Sequence, residues 1–247
     1  MNSEQPSKIA LITGANKGIG LETARQLGLM GFTVLVGARD ERRGKEAERQ
    51  LLTEGLRASF IRLDVTKQAD IDAAGAQITE LYGKLDVLIN NAAIAPDDPG
   101  RNLLLNVNVN TLRHIFETNY FGAFAVTQTV LPLLLKSSGG RIVNVSSAMG
   151  SLTLNSNPRF RHYAFKPLAY NASKTALNQL TVHLAHELKD TAIKVNAACP
   201  GFTETGLNQF RGTRDVRQAA EIVVQLATLL EDGQTGGFFN DQGIIPW

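Results

Sequence analysis

The sequence predicts an α/β fold, with one doubly wound parallel sheet covered by helices on both faces. Short apolar runs alternate with longer segments of helical period, which is the order of parallel strands joined by right-handed crossovers. Runs such as Val87–Ile89 lack the polar alternation of a half-exposed strand, which indicates burial on both faces. No Pro-, Gly- or Ser-rich linker interrupts the chain, so we expect a single domain over residues 1–247.

The first two elements set the pattern for the rest. Ile9–Thr13 is a short apolar run, and in Gly18–Met30 the side chains of Ile19 and Thr23 share one helical face. The same criteria predict strands at Ile9–Thr13, Thr33–Ala38, Ser59–Val65, Val87–Ala92, Arg141–Ser146, Ile193–Ala198 and Gly237–Phe239. They predict helices at Gly18–Met30, Glu41–Thr53, Lys67–Tyr82, Thr111–Leu135, Ala169–Lys189 and Val216–Leu230.

Composition argues against several classes of function. The formal net charge of +2 is too small to indicate a nucleic acid or an acidic membrane surface as partner, and no metal site is expected. Cys199 is the only cysteine, so no intrachain disulfide can form. The segment Met1–Pro6 is polar and lacks a signal-peptide core, and no apolar stretch is long enough to span a membrane. We therefore expect a cytoplasmic protein.

A glycine-rich segment follows the first strand and opens the first helix, with the sequence Thr13-Gly14-Ala15-Asn16-Lys17-Gly18-Ile19-Gly20. Glycine allows a tight turn and a close approach of backbone to a pyrophosphate, and the helix N-terminus offers unpaired N–H groups. A purely structural turn is the alternative, but the strand–glycine–helix context favours a dinucleotide site in a Rossmann-like sheet.

Charge at the end of the second strand bears on the choice of cofactor. A ribose 2′-hydroxyl is usually met by an acid there, and a 2′-phosphate by a cation. Arg39 stands at this position and Lys17 lies in the glycine segment, so the sequence favours NADPH over NADH. Asp40 could hold a 2′-hydroxyl if the strand ends one residue later, and Arg42 and Arg43 are interpreted as solvated charges.

The third and fourth strands end in further polar residues. Asp64 could meet the adenine amino group, although a helix cap near Thr66 is a comparable use of this segment. Asn91, in the run Asn90-Asn91-Ala92-Ala93, is interpreted first as a loop-holding hydrogen bonder.

Tyr170 and Lys174 are four positions apart at the start of a predicted helix, which places them on one face. A nearby ammonium favours the phenolate, so we expect Lys174 to lower the pKa of Tyr170 and make it a general acid for a developing alkoxide. An ordinary surface pair is the alternative. Ser146 and Ser147 end the fifth strand, where a hydroxyl can bind a carbonyl oxygen. Asn119 lies within a helix and suggests a backbone distortion or a bound water.

Together these residues resemble the short-chain dehydrogenase/reductase family, and the motif order is preserved from about Lys8 onwards. The resemblance implies a catalytic tetrad and a set of cofactor contacts. The implied tetrad is Asn119, Ser147, Tyr170 and Lys174. The implied cofactor contacts are Gly14, Asn16, Lys17, Gly18, Ile19, Gly20, Arg39, Asp64, Val65, Asn91, Ala92, Tyr170, Lys174, Pro200, Gly201 and Thr205.

Two departures point to the carbonyl-reductase branch of that family. Ser147 and Tyr170 are 23 positions apart, a longer gap than in common members, and we call the extra segment near residues 154–168 the insertion. The resemblance implies that such extra chain covers an oligomerisation surface, so a monomer is favoured over a homo-oligomer. Tyr163 is interpreted as a decoy, because its nearest lysine is Lys166, three positions away. The second departure is the ending Gly236–Asp241, which lacks the Asp-Gly-Gly of ketoacyl reductases and leaves Phe238 and Phe239 as strand or core residues.

The resulting hypothesis is an NADPH-dependent reductase that converts a ketone or aldehyde to an alcohol with Tyr170 as proton donor. An NADP-linked hydroxysteroid or terpenoid alcohol dehydrogenase is the alternative with the same chemistry. A non-catalytic dinucleotide-binding regulatory protein is the alternative from another class. We call residues 202–215 the substrate loop, whose Phe202, Leu207 and Phe210 predict a hydrophobic small-molecule substrate unless they pack in the core.

Overall fold

A computed structural model describes residues 7–96 and 104–247, so the polar opening segment Met1–Pro6 lies outside the described residues. The predicted architecture is confirmed. Seven strands run parallel, and an eighth pairs antiparallel with the last of them in one continuous sheet. None of the helices in the described ranges has both the length and the apolar composition needed to cross a bilayer.

The strands and helices alternate along the chain as predicted. The strands are β1 Ile9–Thr13, β2 Thr33–Ala38, β3 Ala58–Arg62, β4 Val87–Asn90, β5 Arg141–Val145, β6 Lys194–Ala198, β7 Phe238–Asn240 and β8 Gly243–Ile244. The helices are α1 Gly18–Leu29, α2 Glu41–Thr53, α3 Gln68–Tyr82, α4 Val109–Phe116, α5 Ala123–Leu134, α6 Leu152–Ser156, α7 Leu168–Glu187 and α8 Val216–Ala227.

The strand order is β3-β2-β1-β4-β5-β6-β7-β8, so the direction of winding reverses between β1 and β4. In such sheets ligands bind outside the carboxyl ends of the strands at this reversal. The antiparallel β8 was not predicted. The chain reverses after Asn240, whose side chain accepts a hydrogen bond from the Gln242 backbone at 2.9 Å, and returns as the two-residue strand Gly243–Ile244.

Two apolar cores lie on opposite faces of the sheet, because successive side chains of a strand point to opposite faces. Leu11 of β1 belongs to the core on the side of α3, α5 and α7, whereas Ala10 and Ile12 belong to the core on the side of α1, α2 and α8. This double burial explains the unalternated apolar runs in the sequence.

Most predicted bounds differ from those observed by one to three residues, and two strands and one helix differ for identifiable reasons. β3 ends at Arg62 rather than Val65, since the Asp64 backbone N–H turns away to the Asp70 carboxylate at 3.2 Å. β4 ends at Asn90 rather than Ala92, because the backbone N–H groups of Asn91 and Ala92 both donate to the Thr13 hydroxyl at 2.9 Å.

The long helix predicted at Thr111–Leu135 consists of α4 and α5 joined by a π-helical turn, Glu117–Gly122. A π turn follows an i→i+5 hydrogen-bond pattern and is often found at functional sites. Asn119 lies inside this turn, so the backbone distortion expected at that residue is observed.

The amino edge of the sheet carries a buried polar network. Asp86, just before β4, accepts hydrogen bonds from the Ile9 backbone at 2.8 Å, the Ser137 hydroxyl at 2.7 Å and the Lys84 ammonium at 2.8 Å. Arg141, the first residue of β5, donates to backbone carbonyls that include Leu229 beyond α8 and Gly140. These two side chains fix how strands and helices begin and end at this edge.

Candidate active site

A cleft of about 1830 Å³ opens at the carboxyl edge of the sheet, at the reversal between β1 and β4. Ligand pockets for a single small molecule usually measure roughly 300–1,000 Å³, so this cleft has room for a dinucleotide and a second molecule. Most of the predicted site residues line it. Those at the cleft are Gly14, Asn16, Lys17, Gly18, Ile19, Gly20, Arg39, Asp64, Val65, Asn91, Ala92, Ser147, Tyr170, Lys174, Pro200, Gly201 and Thr205.

The glycine segment forms a cradle at the start of α1. A Cβ on Gly20 would lie 2.5 Å from the Asn91 side-chain nitrogen and 2.7 Å from the Gly14 carbonyl, so only glycine permits this packing. Asn91 donates to the Thr13 carbonyl at 2.8 Å and the Gly14 carbonyl at 3.2 Å, which confirms its loop-holding role. No side chain caps the start of α1 and its first turn contains no acid, which leaves its N–H groups suited to an anion.

The charged residues at the end of β2 have different roles. Arg39 is exposed at the cleft, and Asp40 instead caps α2 by accepting from the Arg43 backbone N–H at 2.9 Å. Asp40 is thus engaged in helix capping. The ammonium of Lys17 lies 3.6 Å from the position of a Cβ on Gly206, which directs it towards the substrate loop.

Asp64 holds the turn after β3. Its carboxylate accepts hydrogen bonds from the Thr66 backbone at 3.1 Å and the Thr66 hydroxyl at 2.8 Å. Partial burial opposes ionisation, but these hydrogen bonds and the charges of Lys67 and Arg39 outweigh it and lower the pKa of Asp64. The helix cap expected near Thr66 is not observed, because α3 begins after Lys67 without a side-chain cap; Asp64 instead holds the preceding turn and lines the cleft.

Tyr170 and Lys174 lie on the first turns of α7, as their spacing predicted. The Lys174 ammonium lies 5.8 Å from the centre of the Tyr170 ring and donates a hydrogen bond to the Val145 carbonyl at 2.8 Å. Lys174 is only 2% exposed. Gly150 makes this burial possible, since a Cβ there would come within 2.7 Å of the Lys174 backbone.

Burial determines the ionisation of this pair. It raises the pKa of Tyr170 to about 12, and the Ser147 side chain opposes the rise only in part. It lowers the pKa of Lys174 to about 8, because the ammonium is desolvated. The expectation that Lys174 brings the Tyr170 pKa below its usual value is therefore wrong for these residues alone. The phenol keeps its proton across the physiological range.

The serine doublet is resolved by its hydrogen bonds. Ser146 is buried and its hydroxyl donates to the Asn178 side-chain oxygen at 2.6 Å. The Ser147 oxygen accepts from the Met149 backbone N–H at 3.2 Å, which leaves its own O–H available to the cleft. The geometry thus favours Ser147 for contact with a ligand, in agreement with the sequence-based preference.

Asn119 does not line the cleft. Its side chain accepts from the Ile94 backbone N–H at 2.8 Å and donates to the Ile94 carbonyl at 2.9 Å and the Ser173 hydroxyl at 3.0 Å. Asn119 thus ties the segment after β4 to α7, the helix that carries Tyr170.

Two segments cover the other end of the cleft. The insertion begins within the short helix α6 and continues through turns that carry Phe160 and His162, whose rings lie 5.5 Å apart. His162 also packs 6.1 Å from the ring of Phe202 in the substrate loop. Phe202, Leu207 and Phe210 line the cleft and are more than one-third exposed, so the core-packing alternative is wrong for them.

Tyr163 lies outside the cleft, with its ring 3.9 Å from the Lys166 ammonium, so it does not compete with Tyr170 for the site. Phe238 is buried in β7 and Phe239 follows it in the same strand, as expected.

Sequence reasoning included His162 in the insertion and Arg211 in the substrate loop without giving either a role, and it did not connect Cys199 with the cleft that all three line. Cys199 directly follows β6, and its sulfur accepts a hydrogen bond from the Ala148 backbone N–H at 3.2 Å. Its position beyond β6, on the same edge as Ser147, was a signal that could have identified it. The positions of His162 and Arg211 depend on loop paths that no periodic pattern predicts.

A family model described as short chain dehydrogenase matches residues 8–215. This chain belongs to the short-chain dehydrogenases. Curated relatives of this dehydrogenase cover nearly its whole length. It is 33% identical to carbonyl reductase (NADPH) 1 from Mus musculus over 100% of both chains. It is 32% identical to (-)-isopiperitenone reductase from Mentha piperita, with 94% of this chain and 96% of the relative covered.

Solved structures agree with the fold. The dehydrogenase superimposes on NADPH-bound carbonyl reductase from chicken fatty liver with a TM-score of 0.85 and 27% identity, over 98% of this chain and 100% of the other. It superimposes on salutaridine reductase from Papaver somniferum with a TM-score of 0.81 and 30% identity, over 95% and 99% of the two chains.

Proposed function

We propose that this short-chain dehydrogenase reduces a ketone or aldehyde to an alcohol with NADPH, and that Tyr170 supplies the proton. The observation that carries the proposal is the position of Tyr170 and Ser147 in one cleft with the uncapped glycine cradle. Relatives named for NADPH carbonyl reduction, which align over the full chain, support the same reaction. A non-catalytic dinucleotide-binding protein would have no need for this constellation.

NADPH, when bound, supplies the hydride that reaches the carbonyl carbon. The glycine cradle and the N-terminus of α1 would hold its pyrophosphate, and Arg39 its 2′-phosphate through the planar guanidinium. The closing segment Pro200–Thr205 would contact the nicotinamide end, because it lies beyond β6 with Thr205 against the glycine cradle at Gly18.

The side chains then handle the oxygen and its proton. Ser147 donates its free O–H to the carbonyl oxygen and stabilises the negative charge that grows there. Tyr170 transfers its phenolic proton to the same oxygen, so the product is a neutral alcohol and the residue becomes a phenolate. Two N–H groups of Lys174 are not engaged by Val145, and the ammonium stabilises this phenolate until it takes a proton from solvent.

Substituting Tyr170→Phe tests the assignment. We expect kcat/KM for ketone reduction to fall by about two to four orders of magnitude, the usual contribution of a positioned general acid. The dissociation constant for NADPH, measured by fluorescence titration, should change little, because only the hydroxyl is removed. The matched control is Tyr163→Phe, whose side chain lies outside the cleft and whose substitution should leave turnover unchanged. Turnover by Tyr170→Phe at the wild-type rate would exclude Tyr170 as the acid.

A pH profile provides a second measurement. As pH rises, Lys174 with its pKa of about 8 loses its proton long before Tyr170 with its pKa of about 12. We therefore expect kcat/KM for reduction to be level below pH 8 and to decline above it. A decline that begins only near pH 10 or higher would argue against a role for the ammonium.

The substrate class and assembly state are the finer parts of the proposal. A hydrophobic substrate fits the exposed Phe202, Leu207 and Phe210, and a terpenoid ketone is a specific alternative because a relative is named isopiperitenone reductase. We infer a cytoplasmic monomer, with the insertion folded over its own cleft through the contact of His162 with Phe202. Assay of a panel of ketones, aldehydes and alcohols with both cofactors, together with sedimentation, tests these points.

A further inference from the structure

The roof of the cleft combines an aromatic surface with positive charge. Phe160, His162 and Phe202 form a continuous row of rings at centroid distances of 5.5 and 6.1 Å. Arg159, Arg161 and Arg211 line the same cleft. The arginines beside these aromatic rings distinguish this end of the cleft from the apolar pocket expected for a neutral ketone.

Arg161 is oriented by its neighbour rather than by an acid. Its Nε donates to the Nε2 atom of His162 at 2.7 Å, so that imidazole nitrogen must be unprotonated. Partial burial and the charge of Arg161 both lower the pKa of His162, which keeps the ring neutral. The two terminal nitrogens of Arg161 make no hydrogen bond or ion pair with any residue in the described ranges and remain available as a donor fork.

Among the residues that the structure describes, the acids at this end of the cleft do not balance the arginines. Asp241 and Glu204 line it, but Asp241 is paired with Arg214 at 3.0 Å. Among the described residues, Glu204 is therefore the remaining acid at this end, where Arg159, Arg161 and Arg211 supply three positive charges. His162 is neutral, Arg39 belongs to the cofactor cradle, and the Lys17 ammonium near Gly206 adds to the positive charge.

We propose that the preferred substrates are aryl carbonyl compounds that carry a carboxylate, with the ring on the aromatic row and the carboxylate on the donor fork of Arg161. This inference rests on the proposed carbonyl reduction and specifies its substrate class. The carboxylate is not altered in the reaction and serves to orient the carbonyl towards Tyr170. A planar guanidinium matches a carboxylate in a two-point hydrogen bond, which a neutral ester cannot accept with the same strength.

A matched substrate pair tests the proposal: 4-acetylbenzoate and its methyl ester, reduced with NADPH. We expect wild-type kcat/KM to be about three- to tenfold higher for the acid, the range for a partly exposed charge-assisted contact. Arg161→Gln should remove this preference by lowering the value for the acid alone, and Arg161→Lys should keep part of it. The control is Arg49→Gln, on an exposed position of α2 outside the cleft, which should change neither substrate.

Binding separates this inference from the proposed function. Isothermal titration of 4-acetylbenzoate into the enzyme with NADP+ should give a several-fold weaker dissociation constant for Arg161→Gln than for wild type. If neither ketone is reduced but this difference is present, the reaction assignment fails and the carboxylate site stands. If both ketones are reduced equally well and the acid binds both proteins equally, the carboxylate site is refuted while carbonyl reduction stands.

Discussion

The two edges of the sheet treat buried polar groups in opposite ways. At the amino edge, Asp86 and Arg141 have hydrogen-bond partners in every direction, supplied mainly by backbone groups and short side chains. At the carboxyl edge, Ser147 accepts one backbone hydrogen bond and faces Tyr170, and Lys174 keeps two N–H groups that Val145 does not engage. A saturated network stabilises one arrangement of the chain, whereas an unsaturated one is ready for a ligand.

This difference teaches that burial alone does not identify a functional residue. Lys174 and Arg141 are both buried cations, at 2% and 5% exposure. They differ in the number of hydrogen-bond donors that remain for a ligand. We therefore expect substitutions at the amino edge to affect the free energy of unfolding, and substitutions at the carboxyl edge to affect turnover.

Among the substitutions that compare the two edges of the sheet, those in the serine doublet have the largest expected effect. Ser147→Ala should lower kcat for ketone reduction by about 10²- to 10³-fold, as loss of one donor to a developing oxyanion does, with little change in thermal stability. Ser146→Ala is the matched control. It leaves the Asn178 oxygen without its 2.6 Å partner, so it should reduce the free energy of unfolding while kcat stays near wild type. The reverse assignment of effects would break the distinction between the two serines.

The next effect is at the amino edge. Arg141→Leu leaves the Leu229 and Gly140 carbonyls without their donor and should reduce the free energy of unfolding by about 2–3 kcal/mol. Urea denaturation followed by circular dichroism measures this loss. At temperatures where the variant is folded, its kcat/KM should match that of wild type. A large loss of turnover in the fully folded variant would show that the two edges are coupled.

A smaller effect is expected for cofactor choice. Arg39→Asp should lower the preference for NADPH over NADH by about tenfold or more, because a charge-assisted contact becomes a repulsion. The measurement is the ratio of the two kcat/KM values. Arg42→Asp is the control, since Arg42 lies outside the cleft and pairs with Glu46 at 3.8 Å. An unchanged ratio for Arg39→Asp would remove Arg39 from phosphate recognition.

The smallest effect is a pH dependence of stability from Asp86. Burial opposes its ionisation, but hydrogen bonds from Lys84, Ser137 and Ile9 lower the pKa below the ordinary value of 3.8. A lowered folded pKa contributes stability that is full above the unfolded pKa and is lost as pH falls through the folded one. Asp86→Asn should therefore reduce stability by roughly 1 kcal/mol at pH 7 and flatten its decline below pH 4. An equally steep acid decline in the variant would assign it to other carboxyl groups.

The sequence predicted the fold because apolar periodicity reports local burial directly. β1, β2 and α2 have the bounds that it indicated. It missed β8 because two residues at a reversal carry no period, and it overextended β3 and β4 because the side chains of Asp70 and Thr13 turn the backbone there. The Thr13 contact joins residues 78 positions apart, and the Asp70 contact depends on the path of a turn, so neither follows from a local pattern.

The same division holds at the cleft. The glycine cradle and the Tyr170–Lys174 pair depend on spacing within one turn and were predictable. The pKa of Tyr170 was not, because it depends on how completely α7 and the neighbouring loops enclose the phenol, and burial outweighed the opposing effect of Ser147. Likewise the row Phe160–His162–Phe202 forms only when two loops meet.

The π turn at Glu117–Gly122 also rotates the packing face of α5 about the helix axis relative to that of α4. α4 packs against α7, whereas α5 packs against α3. A rod of uniform pitch advances about 100° per residue and would present a single stripe along its length. The wider π turn rotates the packing face of α5 relative to that of α4, so one continuous helical segment packs against both α7 and α3. Deleting one residue from this turn would rotate the buried face of α5, which includes Val126 and Val130, away from its present neighbours.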